Sequence, residues 1–280
     1  MTIIDDKTFP GLQYLAADNI HSPGVSAIFT TRNGGVSGHV PGQEHLHSLN
    51  LQFGSAKDAD SNVAENFRIV AASQGFNPED VMGVWQKHTD KIIAVDKALA
   101  ESRPNYKLEE ADALVTNIKG VLLTVRVADC VPILLYDRFN GAAGAVHAGW
   151  RGTFMQIGPK AVRHMHKLYG TNPADVQAAI GAAIGVCCYE VGMDFYEQFH
   201  SEYGEAIDEF FRHKQGEKPY CNLAAMNKSF VAAAGIPVKN INVAGLCTNC
   251  NPGLFYSHRR SGGKRGTMAA FIGMREVVSI

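Results

Sequence analysis

Charge is scarce in this chain and evenly split: charged residues fill 19% of its 280 positions, 26 Lys and Arg against 27 Asp and Glu. No basic block stands out, and phosphate backbones are gripped by clustered Lys and Arg, so nucleic acid is excluded as a main partner. Long apolar runs are missing too. The longest weakly polar stretch, Val176 to Val186, is rich in Gly and Ala and far shorter than the roughly 20 residues that a spanning helix requires, so no membrane partner is expected. The opening residues, Met-Thr-Ile-Ile-Asp-Asp-Lys-Thr, lack the cationic flank and apolar stretch of a signal peptide. Six cysteines without an export signal read as reduced thiols, which makes the cytoplasm the expected compartment. Repeats, low-complexity tracts and linkers are absent as well. Residues 1–280 are therefore expected to form a single domain, acting as a monomer.

What remains is ordinary globular material, 46% hydrophobic. Short apolar or β-branched runs bounded by Gly, Asp, Asn or Pro predict strands at Val25–Thr31, Val81–Trp85, Lys91–Val95, Ala113–Thr116, Val121–Val127, Ile133–Tyr136, Ala142–Val146, Val176–Ile180, Ile241–Ala244 and Met268–Ile272. Helical spacing predicts a helix from Asp60 or Ser61 through Ala72, with Gly75 beyond its end, and a second over Thr153–Tyr169 stopped by Gly170. Two more are predicted over Met193–Tyr203 and Asn222–Ala234. This order does not alternate strictly, so the fold class is α+β, a mixed β-sheet core flanked by helices, and not a doubly wound parallel sheet.

Three segments share one design, an apolar strand that ends abruptly in reactive polar residues. They are Val-Met-Gly-Val-Trp-Gln-Lys-His88, Leu-Leu-Thr-Val-Arg-Val-Ala-Asp-Cys130 and Ala-Ala-Gly-Ala-Val-His147-Ala-Gly-Trp-Arg-Gly. Side chains just past rigid strand ends converge on a crevice. Two imidazoles and a thiolate suit zinc and leave a fourth position open, where bound water is acidified to roughly pKa 7. The same His₂Cys set also suits copper, and the spacing alone leaves three packed core residues as the alternative.

Seven segments occur in order: Thr-Thr-Arg32-Asn-Gly-Gly-Val-Ser, Gln86-Lys-His88, Ala-Asp112-Ala-Leu-Val-Thr, Ala-Asp129-Cys130-Val-Pro, Val-His147-Ala-Gly-Trp-Arg-Gly-Thr, Gly-Val-Cys-Cys-Tyr-Glu190-Val-Gly, and Cys247-Thr-Asn-Cys followed by Ser-His-Arg-Arg. Together they resemble the laccase-domain family, also called multicopper polyphenol oxidoreductases, over about Val25 to Ile272. Bacterial members of that family are described as purine nucleoside phosphorylases and as peptidoglycan editing factors. The resemblance implies one Zn²⁺ held by His88, Cys130 and His147. It implies phosphorolysis of adenosine, inosine, guanosine and S-methyl-5'-thioadenosine, with adenosine deamination beside it, so purine nucleosides and phosphate are the expected partners. It also implies a fold like the catalytic domain of cytotoxic necrotising factor, where a Cys–His pair works without metal. The sequence departs from the family at Val127, where Thr is usual, and in the tail Gly-Gly-Lys-Arg-Gly-Thr-Met, so Arg265 receives no role by alignment.

Around this centre, Arg32 before the Gly34–Gly35 turn and Arg151 between Gly149 and Gly152 are candidates to grip phosphate, each with a purely structural alternative. Asn50 is a candidate for base or sugar. Asp129 is placed to orient His88 or His147, and Asp112 and Glu190 are further acid/base candidates. Cys247-x-x-Cys250 invites a zinc or redox reading, with His258 as a third ligand, but lacks a partner pair at knuckle spacing because Cys187 and Cys188 are adjacent, so a packed thiol pair is expected there and a second metal site is the alternative. His45-x-His47 and His164-x-His166 are two more pairs; the latter falls on a helix, where residues two apart face different ways. Two other enzyme classes stay open: a copper oxidase, and a thiol hydrolase or cell-wall precursor editor with Cys130 as nucleophile and His147 as base.

Overall fold

The structure, a computed structural model, describes residues 1–39, 41–54, 58–101, 105–212 and 217–275, with 105–108 described by their backbone alone. Its strands are β1 (Thr2–Asp5), β2 (Gln13–Ala16), β3 (Val25–Thr30), β4 (Val81–Trp85), β5 (Ile92–Ala94), β6 (Asn105–Glu110), β7 (Ala113–Thr116), β8 (Val121–Val127), β9 (Val131–Asp137), β10 (Ala142–Ala148), β11 (Val176–Ile180), β12 (Phe211–Arg212), β13 (Tyr220–Cys221), β14 (Ile241–Val243) and β15 (Met268–Met274). The helices are α1 (Asp60–Ser73), α2 (Lys97–Glu101), α3 (Trp150–Phe154), α4 (Ile157–Tyr169), α5 (Met193–Tyr203), α6 (Leu223–Ala233) and α7 (His258–Ser261).

Two mixed sheets carry the molecule. One runs in the order β1-β2-β3-β15-β8-β4-β6, the other β14-β11-β9-β10-β7-β5, and β12 pairs with β13 on its own. Continuous apolar runs are what strands buried on both faces require, and β8, β9, β10 and β15 are buried along their whole length. Alternate residues divide between two layers. Leu123 and Val125 of β8, Leu134 and Tyr136 of β9, Ala143 and Ala145 of β10, and Ala270 and Ile272 of β15 share the core between the sheets. Leu122 and Phe271 face the opposite way and meet Val63, Phe67 and Val70 of α1. Ile133, Leu135 and Val146 pack on Ala161, Val162 and Met165 of α4 and Val231 of α6. The result is a four-layer stack of helix, sheet, sheet and helices. Each large side chain so buried contributes about 1.5–3 kcal/mol.

The predicted α+β architecture with a mixed sheet core flanked by helices is the one found, with the strands divided between two facing sheets. Three local differences have clear causes. The helix predicted over Thr153–Tyr169 is broken: α3 ends at Phe154, Gln156 turns left-handed at φ 56°, and α4 begins at Ile157. Pro159 explains the break, since proline fits the first turn of a helix but not its interior. Strand β9 starts two residues earlier than predicted, because Pro132 is accommodated where the chain crosses from one sheet to the other. Strands β1, β2 and β6 lie at or near sheet margins and carry too little apolar periodicity to be read from sequence. Among the described residues no helix is long and apolar enough to cross a membrane.

Candidate metal centre

Topology brings the three strand ends together. Strand β8 belongs to the first sheet and β9 to the second, and only Ala128, Asp129 and Cys130 link them. Cys130 therefore sits where the chain changes sheets. Strand β10 runs antiparallel to β9 with His147 opposite Pro132, which places the imidazole at the same edge. Strand β4 runs parallel to β8, so the turn that follows it, Gln86-Lys87-His88, arrives there too. Gln86 fastens that turn by donating to the Arg126 carbonyl at 2.7 Å and accepting from the Arg126 amide at 2.8 Å.

The ligand atoms of His88, Cys130 and His147 lie within 4.8 Å of one another. The two imidazoles meet edge to face with centroids 5.0 Å apart, and the Cys130 Sγ is 3.8 Å from His88 Nε2. Gly149 makes the fit possible: a Cβ there would stand 2.7 Å from His88 Cδ2 and 3.2 Å from the Cys130 sulfur. Two imidazole nitrogens and one thiolate converging, with no fourth protein donor among the described residues, are a donor set that fits an open zinc site.

The carboxylate that organises the trio is Asp112, fully buried between β6 and β7. It pairs with His147 Nδ1 at 2.7 Å and accepts the backbone N–H groups of Lys87, His88 and Thr89 at 3.2, 3.0 and 2.6 Å, together with the Thr89 hydroxyl at 2.9 Å. One side chain thus fixes the His88 turn, whose central residue is left-handed at φ 61°, and turns Nε2 of His147 toward the other two ligands. Asp129, expected to do this, faces away. Its carboxylate accepts from Thr248 Oγ1 at 2.6 Å, Ser257 Oγ at 3.1 Å and the Arg259 amide at 2.7 Å, so it anchors the segment after β14.

The electrostatics follow from burial and pairing. Burial opposes ionisation of Cys130, but the charge of His147 and hydrogen bonds from both imidazoles outweigh it and bring the thiol down to about 6. Burial likewise opposes the charged form of His147, whereas the Cys130 thiolate and the Asp112 carboxylate raise it to about 9. Asp112 itself, pushed up by burial, is held at about 2 by its bonds to His147 and Thr89. Without metal the trio is a thiolate–imidazolium pair backed by a carboxylate.

Beside it opens a cavity of about 300 Å³ lined by His88, Asp129, Cys130, Tyr189, Arg259 and Arg265 among others. An adjoining pocket of about 110 Å³ adds Trp150 and Arg151, whose guanidinium lies 4.2 Å from the centroid of the Trp150 ring. Arg265, given no role from sequence, lines the larger cavity with its Nε buried and without a hydrogen-bond partner among the described residues. Two other candidates lie elsewhere. Arg32 donates to the carbonyls of His47 and Pro252 at 2.8 and 3.2 Å and stacks on Tyr256. Asn50 is buried, donating to Asp58 at 2.6 Å and accepting the amides of Gln52 and Thr267, both at 3.1 Å. Glu190 points to Tyr220 and Lys218, and His166 bonds the Thr171 carbonyl near the end of α4. Sequence named Asp112 only as an acid/base candidate; the signal that could have given it this orienting role is its place directly before a fully buried strand, since a buried carboxylate demands donors.

Known proteins place the chain. The family described as multi-copper polyphenol oxidoreductase laccase matches residues 26–275. Purine nucleoside phosphorylase YlmD of Bacillus subtilis (strain 168) is 34% identical over 269 residues, 95% of this chain and 94% of that protein. Adenosine deaminase RL5 of an unknown prokaryotic organism is 34% identical over 242 residues, covering 85% of this chain and 90% of its own length. The crystal structure of the Bacillus licheniformis hypothetical protein YfiH superposes with a TM-score of 0.86 at 34% identity, spanning 98% of this chain and 99% of that one. A chain matched over nearly its whole length in sequence and fold belongs to the multi-copper polyphenol oxidoreductase laccase family.

Proposed function

We propose that this chain is a zinc-dependent purine nucleoside phosphorylase that acts on adenosine, inosine, guanosine and S-methyl-5'-thioadenosine and also deaminates adenosine. The observation that carries this reading is the convergence of His88, Cys130 and His147 at a cavity bordered by Tyr189, Arg151 and Arg265. The names of two relatives, one a phosphorylase and one a deaminase, supply the substrate class. Zinc held by the trio would supply a Lewis acid and acidify water at neutral pH.

The chain's own residues do the rest. Asp112 keeps the His147 Nδ1 proton and so leaves Nε2 as the ligand atom. The half-buried Tyr189 ring offers an aromatic wall for a purine. Arg151 and Arg265 offer guanidinium groups to phosphate, whose oxygen bonds to C1′ of the ribose as the bond from C1′ to the purine nitrogen breaks. Asp129 serves by holding Arg259 and the cavity wall.

A second reading has one specific observation in its favour. The paired Asp112 and His147 beside an acidified Cys130 form the acid–base–nucleophile order of a thiol hydrolase. Inosine given with phosphate separates the readings. The phosphorylase should release hypoxanthine and ribose 1-phosphate at a rate that saturates with phosphate, and Cys130→Ala should reduce it to background. Hydrolytic turnover that needs no phosphate and survives complete removal of the metal by chelation favours the thiol hydrolase instead. Ammonia from adenosine without release of any base would leave only a deaminase. Oxidation of a phenolic dye that depends on copper, with no nucleoside product, would make it an oxidase.

A further inference from the structure

The Cys247–Cys250 pair, without partners at knuckle spacing, finds them in the adjacent Cys187 and Cys188. Folding brings Cys187 and Cys188 against Cys247 and Cys250, with all four sulfurs within 4.8 Å of one another. Cys250 Sγ stands 3.5 Å from that of Cys187 and 3.4 Å from that of Cys188. The turns that carry them are joined by a bridge between Ala183 and Cys247 and by the Thr248 amide donating to the Ala183 carbonyl at 3.1 Å. We propose that these four cysteines form a second, structural zinc site, separate from the His88–Cys130–His147 centre.

Three observations lead there. Zinc–thiolate bonds of about 2.3 Å in a tetrahedron set sulfur–sulfur edges of about 3.8 Å; the Cys250 sulfur stands 3.4 and 3.5 Å from two of its neighbours, and all four sulfurs lie within 4.8 Å. Two N–H groups already point at sulfur: the Gly185 amide at Cys247 Sγ, 3.2 Å, and the Asn249 side chain at Cys188 Sγ, 3.1 Å. Donors of this kind favour thiolate over thiol and orient metal ligands. Gly185 also lets its turn approach: a Cβ there would meet the Cys187 sulfur at 3.2 Å and the Cys247 Cβ at 3.2 Å. Four thiolates fill the coordination shell, so this site has no open position and does no chemistry.

Its use is mechanical. Ile184 and Tyr189 flank the first turn and line the larger cavity, and Arg259 holds that turn by donating to the carbonyls of Cys188 and Glu190. Arg260 donates to the carbonyls of Thr248 and Asn249, and Thr248 reaches Asp129. A zinc joining the turns would staple one wall of the cavity. Binding displaces the thiol protons and requires no oxidant.

Elemental analysis of protein purified without added metal tests this. Two zinc equivalents per chain are expected, one remaining in Cys130→Ala and one in the double variant Cys247→Ser with Cys250→Ser. X-ray absorption on Cys130→Ala, which leaves the four cysteines intact, should show a shell of four sulfurs and so gives an answer even if the double variant fails to fold. A single equivalent in the parent that disappears in Cys130→Ala would overturn the site. So would copper or iron in place of zinc, or a non-reduced mass lowered by one or two disulfides. None of these readouts depends on turnover, so the site and the proposed activity fail separately.

Discussion

His88 and Cys130 of the trio line the larger cavity, the four-cysteine cluster lies on the turns beside its Ile184 and Tyr189 wall, and the surroundings of the two groups differ in every respect that matters for a metal. The trio sits at rigid strand ends, its ligands oriented by a fully buried carboxylate and opening onto a cavity of about 300 Å³. The cysteines lie on two exposed turns held by backbone and amide N–H groups, with Cys187 and Cys250 at the surface. Mixed ligands with a vacant position support reaction; four thiolates with none support architecture. The difference can be read in the shell around each cluster, where a carboxylate that tunes a histidine contrasts with amides that only steady sulfur.

The sharpest way to break that contrast is Asp112→Asn. Metal binding requires Cys130 as thiolate and His147 neutral. Cys130, at about 6, is largely ionised at neutral pH, whereas His147, at about 9, keeps its proton. A zinc ion taken up near pH 7 would therefore displace a proton from His147, and affinity at the trio should climb from pH 6 toward about 9 before levelling off. Losing the Asp112 carboxylate removes an anion that raises His147, so the climb should end at lower pH. The oriented imidazole is lost as well, which should weaken zinc by about 10–100-fold. Competition with a chromophoric chelator across this range measures both effects. A flat pH profile in the parent would show that His147 carries no proton to displace.

How much of this could be read beforehand divides along the same line. The convergence of His88, Cys130 and His147 was legible because each lies just past an apolar run, a pattern that survives without knowledge of the fold. The role of Asp112 was not legible: it lies 35 residues from His147 in sequence and 23 from Thr89, and only the pairing of β10 with β7 brings them together. The cysteine cluster was hidden for a related reason. Its two halves lie about 60 residues apart and show no knuckle spacing, because two separate turns each provide a pair. Arg32 was misleading in the opposite sense. A glycine turn suggested an anion site, yet the guanidinium is held by carbonyls 15 and 220 residues away. The four longer helices, α1, α4, α5 and α6, and the long central strands followed from periodicity; the short helices, the marginal strands and the Pro159 break depended on context.

A smaller effect separates the two arginines. Arg151 borders the pocket next to the trio, and a charge-assisted bond to an anion contributes about 1.5–3 kcal/mol. Arg151→Ala should accordingly raise the KM for phosphate by about 10–100-fold while sparing adenosine deamination, as measured by initial rates over a phosphate series. Arg32→Ala should leave that KM within about threefold, since its donors already serve the His47 and Pro252 carbonyls, and should lower the thermal midpoint instead. An equal rise in both variants would place the anion nearer Arg32 and shift the substrate site across the molecule.

The smallest expected effect on turnover belongs to the cysteine cluster. In Cys247→Ser with Cys250→Ser the trio, Asp112 and Arg151 are untouched, so kcat at 25 °C should fall by no more than about fivefold, about 1 kcal/mol in barrier. The loss should appear in the wall. Tyr189 and Arg259 keep their hydrogen bonds and packing but lose the staple between their turns, so the KM for nucleoside should rise more than the KM for phosphate. Thermal inactivation should begin earlier, by about 2–4 °C for each kcal/mol lost in a chain of roughly this size. Initial rates paired with a melting curve distinguish the outcomes. A fall in kcat as deep as that of Cys130→Ala, with the trio's zinc still bound, would mean the cluster takes part in the reaction, and the division between a reactive and an architectural metal would have to be abandoned.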